Sequence, residues 1–123
     1  MDELVKLNIK HQLLVKNLGK SGDEILKSLT PQAIDLLHMA VGVAGEAGEL
    51  LDAVKKHVIY NKPVDKENII EELGDLEFYM QGIRANLFIL RSEVLEFNIQ
   101  KLTKRYSSGS YSDKEAHDRV DKK

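Results

Sequence analysis

The chain has 123 residues, a formal net charge of −2, no cysteine and 42% hydrophobic side chains. This length is enough for one globular domain with a core that needs neither disulfides nor a cysteine metal site. The near-balanced charge argues against nucleic-acid binding, which requires a basic surface. No apolar run reaches the roughly 20 residues that span a bilayer. These features predict a soluble cytoplasmic protein that binds neither nucleic acid nor a membrane.

Apolar residues recur mostly at helical spacing, and proline occurs only twice. The sequence therefore predicts an all-α fold, a bundle of four to five helices. The first helix spans about residues 2–18, and a break follows at about 19–22. The second begins at Thr30-Pro31, where Thr30 caps the helix and Pro31 occupies its first position, and it reaches about Tyr60.

Two more helices follow the turn around Pro63. Asp65 is the expected cap of the third helix, which reaches about Ile89. Ser92 is the expected cap of the fourth, and Gly109 marks its end. Residues 1–106 are expected to form a single domain. Residues 107–123 are polar, so they are expected to be a mobile tail or a flap that closes over bound substrate.

Acidic residues lie in two pairs on the second and third helices. Glu46 and Glu49 share one face of the second helix. Glu72 and Asp75 lie together at the edge of an apolar stripe of the third, whereas Glu71 points away from it. The two pairs are therefore expected to meet between the helices. An all-oxygen set suits hard cations, so these four residues form a candidate Mg²⁺ site that Mn²⁺ can also occupy.

Glycines crowd the acidic part of the second helix, among them Gly42, Gly45 and Gly48. Each interior glycine costs about 1 kcal/mol relative to alanine, so close helix packing or space for a ligand is expected to compensate. His38 and Tyr79 share these faces and are candidate substrate-binding residues. Core packing is the alternative interpretation of both side chains, and a solvated face is the alternative for either acidic pair alone.

Three segments resemble, in order, the motifs of the MazG-like all-α nucleoside triphosphate pyrophosphohydrolases. They are GVAGEAGELLDAVKK (42–56), EELGDLEFYM (71–80) and NIQKLTKRYSSGSYS (98–112). The first contains an ExxE pair, Glu46 and Glu49, and the second an ExxD pair, Glu72 and Asp75. The resemblance implies the fold of that family and an assembly of identical chains, either a homodimer or a homotetramer.

The resemblance also implies an activity: Mg²⁺-dependent hydrolysis of a nucleoside triphosphate to the monophosphate and pyrophosphate. Glu46 or Glu49 would then act as the general base while the four acids hold the metal. By the same similarity, three positively charged side chains of the second and fourth helices are candidates for phosphate contacts: Lys56, Lys101 and Arg105. Asn98 is a candidate for a polar contact to phosphate or sugar.

Two other functions fit a helical bundle with acidic residues. A ferritin-like di-iron site requires two Glu-x-x-His pairs, and only Asp35-x-x-His38 approximates one here. A non-catalytic nucleotide-binding or regulatory module with the same fold is the remaining alternative. Release of pyrophosphate from a panel of deoxynucleotides distinguishes such a module from an enzyme.

Overall fold

The computed structural model describes residues 2–123. Its helices are, in chain order, α1 (Glu3–Leu18), α2 (Gly22–Ser28), α3 (Pro31–Val58), α4 (Lys66–Leu87), α5 (Arg91–Arg105) and α6 (Asp113–Asp118), with a final 3₁₀ turn at Val120–Lys122. No strand occurs in these residues. The predicted all-α fold class is confirmed.

The described residues divide into two compact units, one ending at Ile34 and one covering Asp35–Lys123. The first unit contains α1 and the short helix α2, which the sequence did not predict. The hydroxyl of Ser21 accepts a hydrogen bond from the amide of Glu24 at 3.1 Å, so this serine is a helix cap. The break after α1 is therefore shorter than the predicted 19–22, because α2 already begins at Gly22.

The second unit contains nearly all of α3 and the whole of α4, α5 and α6. α3 and α4 begin as predicted, because Thr30 accepts a hydrogen bond from the amide of Ala33 at 3.1 Å and Asp65 accepts one from the amide of Asn68 at 3.0 Å. α4 ends at Leu87, slightly before the expected end. Phe88 follows in the left-handed conformation, with φ 56°, which is more often adopted by glycine at this position.

The bounds of α5 differ from the prediction at both ends. Leu90, not Ser92, is the residue before the first turn, and its amide donates a hydrogen bond to the side chain of Glu93 at 2.6 Å. This contact satisfies a backbone amide that the helix leaves free, so no serine cap is required. At the other end the helix stops at Arg105 rather than at Gly109, and Gly109 lies in the following turn with φ 85°.

The C-terminal segment, residues 107–123, is folded against α5. The guanidinium of Arg105 donates two hydrogen bonds to the carboxylate of Asp121, at 2.7 and 3.0 Å. The Asp121 side chain is only 1% exposed and that of Arg105 is 15% exposed. α6 begins after Ser112, whose hydroxyl accepts a hydrogen bond from the amide of Glu115 at 3.1 Å. This segment therefore contains a helix of its own and is joined to α5 by two hydrogen bonds.

Large apolar side chains remain exposed on the second unit. Phe78, Phe88 and Phe97 are 66%, 90% and 72% exposed, and among residues 2–123 Ala53 is the one buried apolar residue, at 5% exposure. A chain whose apolar side chains are this accessible gains stability when a further surface covers them. No helix within the described residues is both long and apolar enough to cross a lipid bilayer.

Candidate active site

The acidic residues lie on α3 and α4, at a place where the two helices approach closely. Gly42 of α3 faces the ring of Tyr79 on α4, and Gly82 of α4 faces the side chain of Met39 on α3. A methyl group added at either glycine would overlap the facing side chain. The two glycines therefore allow the helices to approach closely. For Gly42 this is one of the two explanations that the sequence pattern predicted, whereas Gly82 was not singled out from the sequence.

Three of the four predicted acids meet between these helices. Glu46, Glu72 and Asp75 each offer a carboxylate oxygen, and these oxygens all lie within 4.8 Å of one another. Glu46 and Glu72 are half-buried, whereas Asp75 is exposed. The side chains come from two helices, so their proximity results from the packing of α3 on α4 and not from sequence spacing alone.

The electrostatics of Glu72 reflect this crowding. A hydrogen bond with the Glu46 side chain, partial burial and the negative charges of Glu46, Glu49 and Asp75 raise the pKa of Glu72 from its ordinary 4.5 to about 7. Like charges at short range disfavour ionisation, and a shared proton relieves their repulsion. One carboxyl of the Glu46–Glu72 pair therefore holds a proton near neutral pH and donates it to the other.

Glu49 and Glu71 occupy different surroundings. Glu49 is exposed and lies outside the three-oxygen group, yet its charge acts on Glu72. Glu71 is also exposed and is not among the residues that raise the pKa of Glu72. The predicted pairing of Glu72, rather than Glu71, with the acids of α3 agrees with this geometry.

Open space lies beside the acidic residues on both helices. Gly45 and Gly48 directly precede Glu46 and Glu49, and apart from the adjoining residues and backbone of α3 itself no heavy atom lies within 4 Å of a methyl group built on either glycine. Gly74, next to Asp75, is equally open. The glycines of this region therefore have two functions: Gly42 and Gly82 permit helix contact, and the others leave the carboxylates accessible.

His38 and Tyr79, the predicted substrate-binding side chains, contact each other across the helices. Their ring centroids are 6.4 Å apart in an edge arrangement, and Tyr79 also meets Phe78 at 5.1 Å with the rings nearly perpendicular. Tyr79 is half-buried against Gly42, while His38 is exposed. The ring of Tyr79 thus packs α4 on α3, and the exposed imidazole of His38 stays available to a ligand.

The predicted phosphate contacts are distributed over two helices. Lys56 pairs with Asp52 at 3.1 Å, one turn away on α3, and both side chains are about half exposed. Such surface pairs contribute only about 0.3–0.5 kcal/mol, so an anion can replace the partner at little cost. On α5, Lys101 is half-buried and Asn98 is exposed.

Arg105 is the predicted phosphate contact with the strongest competing partner. Its guanidinium is held by Asp121, and this charged hydrogen bond lowers the pKa of Asp121 to about 2. A bidentate arginine–carboxylate pair is among the stronger polar contacts in proteins. Asp121 was not anticipated because it stands in a polar segment without helical periodicity, and no sequence signal connects it with Arg105.

The fold and the site define the class of protein: this is an all-α protein with an acidic site between two adjacent helices. Comparison with known families places it more closely: residues 35–109 match the model of the MazG nucleotide pyrophosphohydrolase domain. The match covers more than half of the chain and contains all four acids of the two motifs. The chain belongs to this family, as the resemblance of its motifs predicted.

The chain is also similar to a protein of a bacteriophage. The chain is 31% identical over 78 residues to the protein of Mycobacterium phage L5 named Gene 37 protein. The matched region covers 60% of this chain and 68% of the phage protein. No solved structure matches the chain significantly.

Proposed function

We propose that this protein is a Mg²⁺-dependent nucleoside triphosphate pyrophosphohydrolase that converts a ribo- or deoxyribonucleoside triphosphate to the monophosphate and pyrophosphate. The observation that carries the proposal is the convergence of Glu46, Glu72 and Asp75 within 4.8 Å in a chain of the MazG family. Four acids are the expected metal ligands, with Glu49 as the fourth. An all-oxygen donor set suits Mg²⁺ and Mn²⁺ better than softer ions.

The donor set fits a cation for an electrostatic reason as well. Glu72 retains its proton to about pH 7 because it shares a hydrogen bond with Glu46, is partly buried and has negatively charged neighbours. A divalent cation relieves the repulsion among these carboxylates more completely than one proton does. When bound, Mg²⁺ supplies positive charge to the phosphate oxygens and increases the acidity of nearby water. Glu46, Glu49, Glu72 and Asp75 are the residues that would hold it.

The chain's own side chains account for the rest of the reaction. Water adds to one phosphorus of the α–β bridge and the bridging P–O bond breaks, so that the products are the monophosphate and pyrophosphate. Glu49 is exposed and less constrained than Glu46, so we assign it as the first candidate to accept the proton of that water, with Glu46 as the second. Lys56, Lys101 and Arg105 are the candidate cations for the phosphates.

We also propose that the working protein is a homodimer or homotetramer. Three phenylalanines are exposed: Phe78 on α4, Phe88 directly after it and Phe97 on α5. A second copy of the chain that covers them removes a large apolar area from water. Sedimentation across a hundredfold dilution tests this assembly. A stable, active monomer at micromolar concentration would contradict it.

Pyrophosphate release from a panel of ribo- and deoxyribonucleoside triphosphates, with and without EDTA, tests the activity. We expect turnover that requires Mg²⁺ or Mn²⁺, loss of turnover in Glu49→Gln and Asp75→Asn, and a milder effect of Glu71→Gln, the matched control on the exposed face. No release from any member of the panel would favour a non-catalytic nucleotide-binding or regulatory module of the same fold.

A further inference from the structure

A second candidate binding site lies at the junction of α5 and the C-terminal segment. A cavity of about 390 Å³ is lined by Leu102, Thr103, Tyr106, Ser110 and Tyr111, among others. Cavities that bind small molecules in proteins start at about 300 Å³. None of these residues belongs to the acidic group on α3 and α4.

The cavity presents an aromatic ring in a fixed orientation. The hydroxyl of Tyr111 donates a hydrogen bond to Asp113 at 2.7 Å, and this contact raises the pKa of the tyrosine above its ordinary value. The ring centroid lies 5.8 Å from that of Tyr106 with a tilt of 37°. The Tyr111 hydroxyl therefore has a hydrogen-bond partner and its ring has a neighbouring ring, although the residue is 72% exposed.

The loop that carries Tyr111 is held by its own hydrogen bonds. Ser108 donates to the carbonyl of Ser110 at 3.2 Å and lies 3.1 Å from a carboxylate oxygen of Glu115. Gly109 adopts φ 85°, a conformation that favours glycine, and its amide donates to the carbonyl of Tyr106 at 2.9 Å. A ring held in advance loses little conformational freedom when a flat ligand stacks on it.

The chemistry of the lining selects the kind of ligand. Leu102 and the two tyrosine rings are apolar surfaces, while Thr103 and Ser110 bring hydroxyl groups that can donate or accept hydrogen bonds. A planar heterocycle with polar edges matches both properties, because aromatic side chains stack on bases and hydroxyls meet their edges. Tyr111 is 72% exposed although its ring centroid lies 5.8 Å from that of Tyr106, so its ring is the accessible stacking surface.

We propose that this cavity, built around Tyr106 and Tyr111, binds the base of a nucleotide. The inference deepens the proposed function and rests on it for the class of ligand. The nucleotide is either the triphosphate that is hydrolysed or a second nucleotide that binds apart from the acids. Both present the same heterocycle, and the stoichiometry of binding distinguishes them.

Titration calorimetry with a non-hydrolysable α,β-imido nucleoside triphosphate and Mg²⁺ tests the proposal. Loss of one base stack weakens binding about tenfold, so we expect Tyr111→Ala to raise Kd by about that factor and Tyr111→Phe, which keeps the ring, by less than about threefold. Inorganic triphosphate lacks a base and should bind Tyr111→Ala as it binds the wild type. Tyr60→Ala, an exposed tyrosine after α3, is the control and should leave both ligands unaffected.

If the wild type binds one nucleotide per chain and Tyr111→Ala raises the KM, the cavity binds the base of the substrate. If the wild type binds two nucleotides per chain and Tyr111→Ala binds only one, the cavity binds a second nucleotide. Either result supports the proposal. If folded Tyr111→Ala binds the nucleotide as tightly as the wild type does, the proposal is wrong. If the melting temperature of Tyr111→Ala falls, Tyr111→Leu, which retains apolar bulk, is used in its place. Pyrophosphate release by the wild type is measured in parallel. Failure of the hydrolase proposal is thus seen as absent turnover, separately from failure of the base site.

Discussion

Proton release on metal binding follows from the crowding of Glu72. With a pKa of about 7, about one tenth of this carboxyl is ionised at pH 6, about half at pH 7 and about nine tenths at pH 8. A metal ligand must be deprotonated, so the apparent Kd for Mg²⁺ should fall about fivefold from pH 6 to 7 and only about twofold from pH 7 to 8. Titration calorimetry in two buffers of different ionisation enthalpy measures both the Kd and the released proton.

Two variants make this prediction specific. Glu46→Gln removes the acid that raises the pKa of Glu72, so binding should be weaker and its dependence on pH flatter. Glu71→Gln is the control, because Glu71 is exposed and lies outside the three-oxygen group, and it should keep the wild-type dependence. A Kd that stays constant between pH 6 and 8 in the wild type would refute the reasoning.

The same shift predicts how pH acts on the metal-free protein. The folded pKa of Glu72 is raised from 4.5 to about 7, so the folded state binds more protons than the unfolded state between these values. Its contribution to stability is complete below pH 4.5 and is lost as pH rises through 7. Added Mg²⁺ should therefore raise the melting temperature most strongly above pH 7, where the acids are ionised.

Further predictions concern helix packing and the C-terminal segment. Gly42→Ala places a methyl group into the Tyr79 ring and should destabilise the fold by about 1–3 kcal/mol. Gly45→Ala places its methyl group in open space and should stabilise the fold by up to about 1 kcal/mol. Thermal melts of the two variants test both expectations. Asp121→Asn should lower the melting temperature because Arg105 loses its charged partner. The pKa of Asp121 is lowered from 3.8 to about 2, so the difference from the wild type should disappear as pH falls through that interval.

The sequence predicted the features that depend on local chemistry and helical periodicity. Thr30 and Asp65 cap their helices as expected, since capping depends on one side chain and a nearby amide. The meeting of Glu46 with Glu72 was also predictable, because each lies at a fixed angle from an apolar stripe.

Other features depend on contacts that no short pattern encodes. Leu90 precedes α5 because the Glu93 side chain satisfies its amide, and this contact outweighs the preference for Ser92 as the cap. The pairing of Arg105 with Asp121 joins residues sixteen positions apart, and the polar segment between them contains the short helix α6. A polar segment without periodicity gives no signal of such tertiary contacts, so the folded C-terminal segment could not be predicted.

The measurement that tests the central proposal most directly is ³¹P NMR of a nucleoside triphosphate during incubation with the protein and Mg²⁺. We expect resonances of the monophosphate and pyrophosphate to grow together at equal rates, with none in EDTA and none with Asp75→Asn. Asp75 is an exposed member of the acidic group, so its variant should keep the fold. Products of diphosphate and orthophosphate, or turnover that persists in EDTA, would contradict the proposal that this acidic group directs cleavage between the α and β phosphates.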